Sequence, residues 1–304
     1  MYVGVDVGGT KVLAVEISAT GEVLRIARDS TPGRGDPASE LEDALTRAVE
    51  AVAAGRALTG VGVSAAALVE PTGQTVRFAT HLPWREEPVR ERLASRWGAP
   101  VVLDNDAHCA AEAELAFGAG RGTSSFLLVN IGTGIGGGLV LDGRVWRGVG
   151  GMSGEFGHMQ LVPDGLPCEC GLSGCWEQYC SGRALERVFR ATLGSHLDGP
   201  EVAARARAGD DAARQAFATI GHWLGVGLAN LVAAFDPALV VIGGGVSEVG
   251  GLLLDPARET LGRQLVAAAH RTVPPVVPAA LGPEAGAIGA ALLVQRQHAD
   301  PSLG

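Results

Sequence analysis

Two stretches of this chain share one grammar, and that grammar limits the fold more than any other feature. Val3–Val15 and a segment beginning near Ser125 each run strand, polar residue, glycine turn, strand. In the first, Asp6 precedes Val7-Gly8-Gly9-Thr10-Lys11; in the second, Asn130 precedes Ile131-Gly132-Thr133-Gly134. Asp6 aligns with Asn130, and Gly8 with Gly132. The identity is weak, but the order of elements is kept. Each copy leads into alternating helices and strands, so a layered α/β chain is expected. At 304 residues the length favours two domains.

Around the repeat, strands are predicted at Tyr2–Asp6, Val12–Ile17, Val23–Ala27, Val61–Val63, Thr75–Phe78, Val101–Leu103, Phe126–Ile131 and Leu239–Ile242. The return strand of the second copy is predicted at Leu139–Leu141, after a glycine turn spanning 132–138. Ser39–Ala53 places Leu41, Leu45, Val49 and Val52 at helical spacing. Further helices are predicted at Glu87–Trp97, Ala107–Phe117, Ala212–Phe235 and Ala285–Val294.

Both glycine turns suit an anion. Without Cβ atoms, backbone N–H groups can converge on a phosphate. Thr10 adds a hydroxyl, and Lys11, the only lysine of the chain, adds a charge. Asp6 can hold Mg²⁺ directly or through water. The spacing is not that of a Walker loop or a dinucleotide fingerprint. Gly243-Gly244-Gly245, after a buried strand, would let an adenine or ribose approach the backbone at Gly244. Asp104-Asn105-Asp106 opens a helix with more polar groups than an N-cap needs. An aspartate there can take a proton from an attacking hydroxyl.

His158, Cys168, Cys170 and Cys175 form H-x9-C-x-C-x4-C. One imidazole and three thiolates are the ligand set of a closed, tetrahedral structural zinc site. Disulfides are the competing reading. Five cysteines are an odd number, however, and Cys168 and Cys170 are too close for an easy bridge. The chain opens directly on a strand with no signal peptide, so a cytoplasmic, reducing setting is expected. Cys109 and Cys180 are expected to be small buried residues. Glu155 and Glu177 bracket the cluster and are not needed as ligands, so they can be presented elsewhere.

Net charge is −9 and the isoelectric point about 5.3. That balance argues against nucleic acid as the main partner. No run of about 18 uninterrupted apolar residues is present, so no membrane partner is expected.

At Asp6-Val-Gly-Gly-Thr-Lys11, Asp104-Asn-Asp106, Gly132-Thr-Gly-Ile-Gly-Gly-Gly138, Gly154-Glu-Phe-Gly-His158 and Cys168-Glu-Cys-Gly-Leu-Ser-Gly-Cys-Trp-Glu177, the chain resembles the ROK sugar kinases, the bacterial glucokinases among them. The resemblance implies a two-lobed actin-like ATPase (ribonuclease H-like) fold with a structural zinc loop. It implies domains of 1–117 plus 289–304 and of 118–288, with the zinc site in the second and an active site in the cleft between. The implied activity is ATP-dependent phosphorylation of glucose at its 6-hydroxyl. Asp106 matches the general base. Asn105, Asp106, Glu155, His158 and Glu177 match sugar-binding residues, and His158 serves metal and sugar with one ring nitrogen each. Gly8, Gly9, Thr10, Lys11, Gly132, Thr133 and Gly134 match the phosphate loops. Mg²⁺, structural Zn²⁺ and a homodimer or homotetramer are also implied.

Two departures bear on sugar recognition. Ser64-Ala65-Ala66-Ala67-Leu68 stands where such families often carry Pro-Gly, so Ala67 replaces a glycine near the sugar. His81 stands where many relatives have Asn, and is read as structural. The alternatives are a kinase for mannose, fructose or N-acetylmannosamine, and a sugar-responsive transcriptional regulator. Regulators of this family carry an extra helix-turn-helix module ahead of the kinase-like region.

Overall fold

The computed structural model describes residues 1–33, 35–194 and 197–300. The chain forms two compact units. One comprises Met1–Gly122, Gly138–Gly154 and the chain from Ala280 onward; the other comprises Thr123–Gly137 and Glu155–Ala279.

The first unit is built on a five-stranded sheet. Strands β1 (Tyr2–Val7), β2 (Lys11–Ile17) and β3 (Val23–Ser30) form an antiparallel meander. After helix α1 (Ala38–Ala53), strand β4 (Gly60–Ala65) joins β1 in parallel. Next come β5 (Leu68–Val69), β6 (Val76–Phe78) and β7 (Arg85–Glu87), a small separate sheet. Helix α2 (Val89–Trp97) leads to β8 (Val101–Asn105), parallel to β4, and to helix α3 (Asp106–Phe117). The main sheet order is β3-β2-β1-β4-β8.

Sequence explains these elements locally. All six residues of β4 are buried, as expected for a Val-rich central parallel strand. Leu41, Leu45, Val49 and Val52 of α1 are buried, matching the predicted stripe, and pack with Val3, Val5, Val61 and Trp84. Helix α2 starts at Val89 rather than at the predicted Glu87, because Pro88 stands at its N-cap and Glu87 still belongs to β7.

The second sheet has the order β11-β10-β9-β12-β13. Its strands are β9 (Phe126–Ile131), β10 (Ile135–Leu141), β11 (Arg144–Val145), β12 (Leu239–Gly243) and β13 (Val276–Pro278). Here β12 runs parallel to β9 and to β13. The two sheets therefore share one strand plan, with β9 in the place of β1 and β10 in that of β2. One expectation is corrected: β10 begins at Ile135, not Leu139, so Gly136–Gly138 are strand and the turn is 132–134 alone. Gly137 and Gly138 are buried within that strand.

Between β11 and β12 lie helices α4 (Gly182–Leu193), α5 (Gly199–Arg207) and α6 (Asp211–Phe235); α7 (Gly251–Gln264) follows β12. Helix α6 is long and apolar enough to cross a membrane by length and composition, a point the run-length reading passed over. Of its most apolar window, 61% is buried inside the protein, where it packs on α4, α5 and α7 as a core helix. The last helix, α8 (Ala285–Ala299), lies on the first sheet. Gly4 and Gly62 admit it: a β-carbon at either would sit 1.9 Å from the carbonyl oxygen of Ala287 or Ala290.

Candidate functional site

In the first unit, Asp6 stands one residue from the end of β1, with Ser64 of β4 as its register partner. The Ser64 hydroxyl donates to Asp6 Oδ1. Gly286, in the first turn of α8, backs the pair; a β-carbon there would meet Asp6 Oδ1 at 2.6 Å. Burial pushes the Asp6 carboxyl above its ordinary value, against the opposing pull of Ser64 and the Lys11 charge. Beyond Asp6 the chain turns at 8–10. Gly8 N–H donates to Lys11 O at 3.1 Å, and Thr31 Oγ1 donates to Gly8 O at 2.7 Å. Gly9, Thr10 and Lys11 are exposed. No protein atom lies within 4 Å of a β-carbon built on Gly8, whereas one on Gly9 would meet His81 Cβ at 2.8 Å. His81 therefore packs on the glycine turn.

The Asp104-Asn105-Asp106 triplet divides its labour. Asn105 is the N-cap of α3; its Oδ1 accepts from Ala107 N–H at 2.9 Å and His108 N–H at 3.1 Å. Its amide donates to Ala67 O at 3.1 Å, the backbone carbonyl at the sequence departure noted above. Asp106, half-buried, is the first residue of α3, where the helix dipole favours a negative charge. Asp104 is buried; its Oδ2 accepts from Arg147 Nε at 2.8 Å, and its Oδ1 lies 3.4 Å from His108 Nδ1. Burial alone would raise the Asp104 carboxyl, but His108 and Arg147 bring it below its usual value. Arg147 also reaches Glu112 Oε1 at 3.0 Å, and His108 Nε2 donates to Ser153 O at 2.8 Å. Arg147, His108 and Glu112 escaped the sequence reading, since no local spacing joins Arg147 to Asp104.

In the second unit, the 132–134 turn repeats the first. Gly132 N–H donates to Gly134 O at 3.0 Å, Thr133 is exposed, and no protein atom lies within 4 Å of a β-carbon built on Gly132. Gly244 follows β12 with φ 83°, and a β-carbon there would meet Ile131 O at 2.4 Å. Packing against the end of β9 accounts for glycine at that position.

The segment 155–180 is mostly loop, with short 3-10 turns at Phe156–His158 and Trp176–Gln178. It gathers His158, Cys168, Cys170 and Cys175 so that their ligand atoms all lie within 4.8 Å of one another. Cys170 Sγ and Cys175 Sγ are 3.6 Å apart, and Cys168 Sγ and His158 Nδ1 are 3.7 Å apart. A tetrahedron with ~2.3 Å metal–sulfur bonds has edges of about 3.8 Å, so the donor set is compatible with a structural zinc. Burial, with Cys170 and Cys168 alongside, pushes the Cys175 thiol up to about 12. Burial likewise raises the Cys168 thiol, and a bound dication would be what converts such thiols to thiolates. Cys109 and Cys180 are fully buried and lie outside the cluster, as expected.

His158 Nδ1 faces the cluster while Nε2 lies 3.8 Å from Glu155 Oε2. Glu155 is exposed. Glu177 Oε1 lies 3.3 Å from Cys168 Sγ, and its Oε2 is 3.4 Å from Ile135 N. The structure thus brings His158, Glu155 and Glu177 together beside the cluster.

Comparison with known proteins agrees over nearly the full length. The chain is 39% identical to the glucokinase of Streptomyces coelicolor, over 97% of this chain and 98% of that one. Its structure is similar to the crystal structure of a ROK family glucokinase from Streptomyces griseus in complex with glucose and AMPPNP, with TM-score 0.90, 39% identity, and 97% and 99% of the two chains covered. It is also similar to the ROK hexokinase of Thermus thermophilus, with TM-score 0.78, 37% identity, and 98% and 99% covered. Those solved structures share the mixed α/β architecture found here. Residues 2–297 match the ROK family, and the chain belongs to it.

Proposed function

We propose that this chain is an ATP-dependent hexose kinase whose substrate is glucose, phosphorylated at the 6-hydroxyl. The observation that carries the reading is the pair Gly8 and Gly132. They hold equivalent places in the two sheets, and at neither does the protein's own packing require a glycine. A backbone kept bare of side chains there suits the close approach of a phosphate. The turns 8–11 and 132–134, with Gly244 toward the nucleoside, would hold ATP, and Asp6 would hold Mg²⁺. That ion would supply charge compensation for the phosphates.

Asp106 is the general base in this reading, accepting the proton of the attacking hydroxyl. Asn105, Glu155, His158 and Glu177 hydrogen-bond the sugar. Carboxylates accept strongly from hydroxyls, and such charge-assisted bonds are about twice as strong as neutral ones. Asn105 spends its side-chain oxygen on the helix cap and one amide hydrogen on Ala67 O, so the second amide hydrogen is the group left to meet a sugar oxygen. His158, Cys168, Cys170 and Cys175 would hold zinc, which with four protein ligands has no open position for catalysis. The greater share of activity therefore falls to alignment by the chain's own groups.

A dimer or tetramer working in the cytoplasm, where ATP is supplied, completes the proposal. A coupled assay with ATP, Mg²⁺ and a hexose panel tests it. Turnover is expected, with the highest kcat/KM for glucose; a folded, zinc-loaded protein inactive on every hexose would reject it. A higher kcat/KM for mannose, fructose or N-acetylmannosamine would correct the sugar. Specific, salt-sensitive DNA binding without turnover would favour a regulator instead.

A further inference from the structure

Glu177 sits on a backbone that has little room to move. It follows Trp176, which is fully buried and whose Nε1 donates to Trp223 O on α6 at 2.8 Å. The helix meets the indole at Gly227, where a β-carbon would lie 2.1 Å from the Trp176 ring. On its other side Cys175 belongs to the metal-ligating cluster. From this anchored position the carboxylate faces two ways. Its Oε1 lies 3.3 Å from Cys168 Sγ and 4.0 Å from His158 Nδ1. Its Oε2 accepts from Ile135 N–H at 3.4 Å and occupies the place a Gly134 β-carbon would take, 2.5 Å away.

The same segment grips the turn at its other end. Gly182 N–H, at the start of α4, donates to Gly132 O at 2.8 Å, and Ser181 caps that helix through Ala184 N–H. Gly132 and Ile135 are thus both tied to the stretch 175–182, while Thr133 between them is exposed. A glycine turn is conformationally loose by itself, and its N–H groups converge on an anion only when its ends are fixed. Glu177 supplies one of the two fixings and is the one that touches the cluster.

We propose that Glu177 is a positioning residue for the 132–135 turn, linking it to the Cys/His cluster so that nucleotide affinity depends on this carboxylate before any sugar is bound. The identity of the ligand as a nucleotide rests on the function proposed above. A role confined to sugar binding would leave nucleotide affinity untouched, and this separates the two.

The test is titration calorimetry of Mg²⁺-ADP into the zinc-loaded protein without sugar. The variants are Glu177→Ala, Glu177→Gln, Gly134→Ala and the Glu177→Ala/Gly134→Ala double. Glu177→Ala is expected to weaken ADP binding about tenfold. Glu177→Gln keeps an acceptor for Ile135 N–H, so its affinity should stay within about twofold of wild type. The methyl of Gly134→Ala displaces the carboxylate and should weaken binding about tenfold. The double variant should be no weaker than the worse single one, because both changes break one link. Unchanged ADP affinity in Gly134→Ala or Glu177→Ala, full additivity, or a wild type that binds no ADP overturns the proposal. Should Glu177→Ala fail to fold or to retain zinc, Gly134→Ala against Glu177→Gln decides the matter. Wild-type turnover on hexoses is measured alongside. Turnover with unaltered ADP affinity in the variants rejects the link and keeps the kinase; no turnover with the tenfold loss keeps the link and rejects the sugar reading.

Discussion

Gly8 and Gly132 each follow the central strand of a five-stranded sheet, and neither has a protein atom within 4 Å of where a β-carbon would stand. Neither adopts a positive φ. Alanine at either position should therefore leave stability within about 1 kcal/mol of wild type. The added methyl would, however, stand where a phosphate must approach, and the KM for ATP should rise about tenfold or more. Gly244→Ala should behave in the opposite sense. Its φ of 83° and the 2.4 Å approach to Ile131 O should destabilise the fold by about 2–4 kcal/mol. Thermal melts and ATP saturation curves on the three variants check this; an unstable Gly8→Ala would show that the fold itself needs the glycine.

Arg147 ties Asp104 to Glu112, and both carboxylates are buried. Arg147→Ala leaves two acids without this partner and should cost about 2–4 kcal/mol. The pH dependence follows from sign. The folded Asp104 carboxyl lies below its unfolded value of 3.8, so it contributes stability that is full above that value. That contribution is lost as pH falls through the folded, depressed value. Arg147→Ala removes part of the depression, so its stability should fall less steeply below pH ~4 than that of wild type. Urea unfolding midpoints between pH 3 and pH 7 report both effects.

The repeat, the glycine turns and the Cys/His cluster were legible because each depends on residues close in sequence. Leu41, Leu45, Val49 and Val52 announced α1 by spacing alone. What escaped has its partners far along the chain. Glu114 is fully buried, and its carboxylate accepts from Ala119 N–H at 2.7 Å and from Ala280 and Leu281 N–H at 2.9 Å each. Nothing in an Ala-rich helical stretch marks that acid as a backbone clamp, because two of its three donors lie some 166 residues later. Gly136–Gly138 misled for a different reason. Glycine disfavours strands by propensity, yet β10 runs through all three, two of them buried. The family resemblance marks Asn105 as a sugar ligand, and its second duty as the cap of α3 appears only once the helix start is fixed.

Cys170 is the exposed member of the cluster, 3.6 Å from Cys175 Sγ. Cys170→Ser replaces a soft thiolate with a poor zinc ligand, so zinc content should fall well below one per chain. Structural zinc is worth ~10–16 kcal/mol in zinc-finger peptides. Here the packing of α6 against α7 does not depend on the loop, so unfolding should be confined to the 155–180 segment. Zinc quantification and hydrogen exchange check this. Exchange should quicken across 155–180 and remain near wild type in β9 and β12.

Asp106 begins α3 beside Asn105, whose side chain caps the helix, so the carboxylate's position is set by backbone that a substitution leaves intact. Asp106→Asn keeps shape and volume but cannot take a proton at neutral pH. General-base assistance is typically worth about 100-fold to 10,000-fold, and kcat should fall by that factor. Glucose affinity, measured by calorimetry without ATP, should change only about threefold, the size expected for one hydrogen bond altered among several. Asp106→Ala should lose a similar factor in kcat. It should also lose about 0.5–1 kcal/mol of stability, because an acid in the first turn of α3 interacts favourably with the helix dipole. An Asp106→Asn protein that turns over glucose at the wild-type rate would require the proton to go elsewhere, and Asp106 would then be no more than the first residue of its helix.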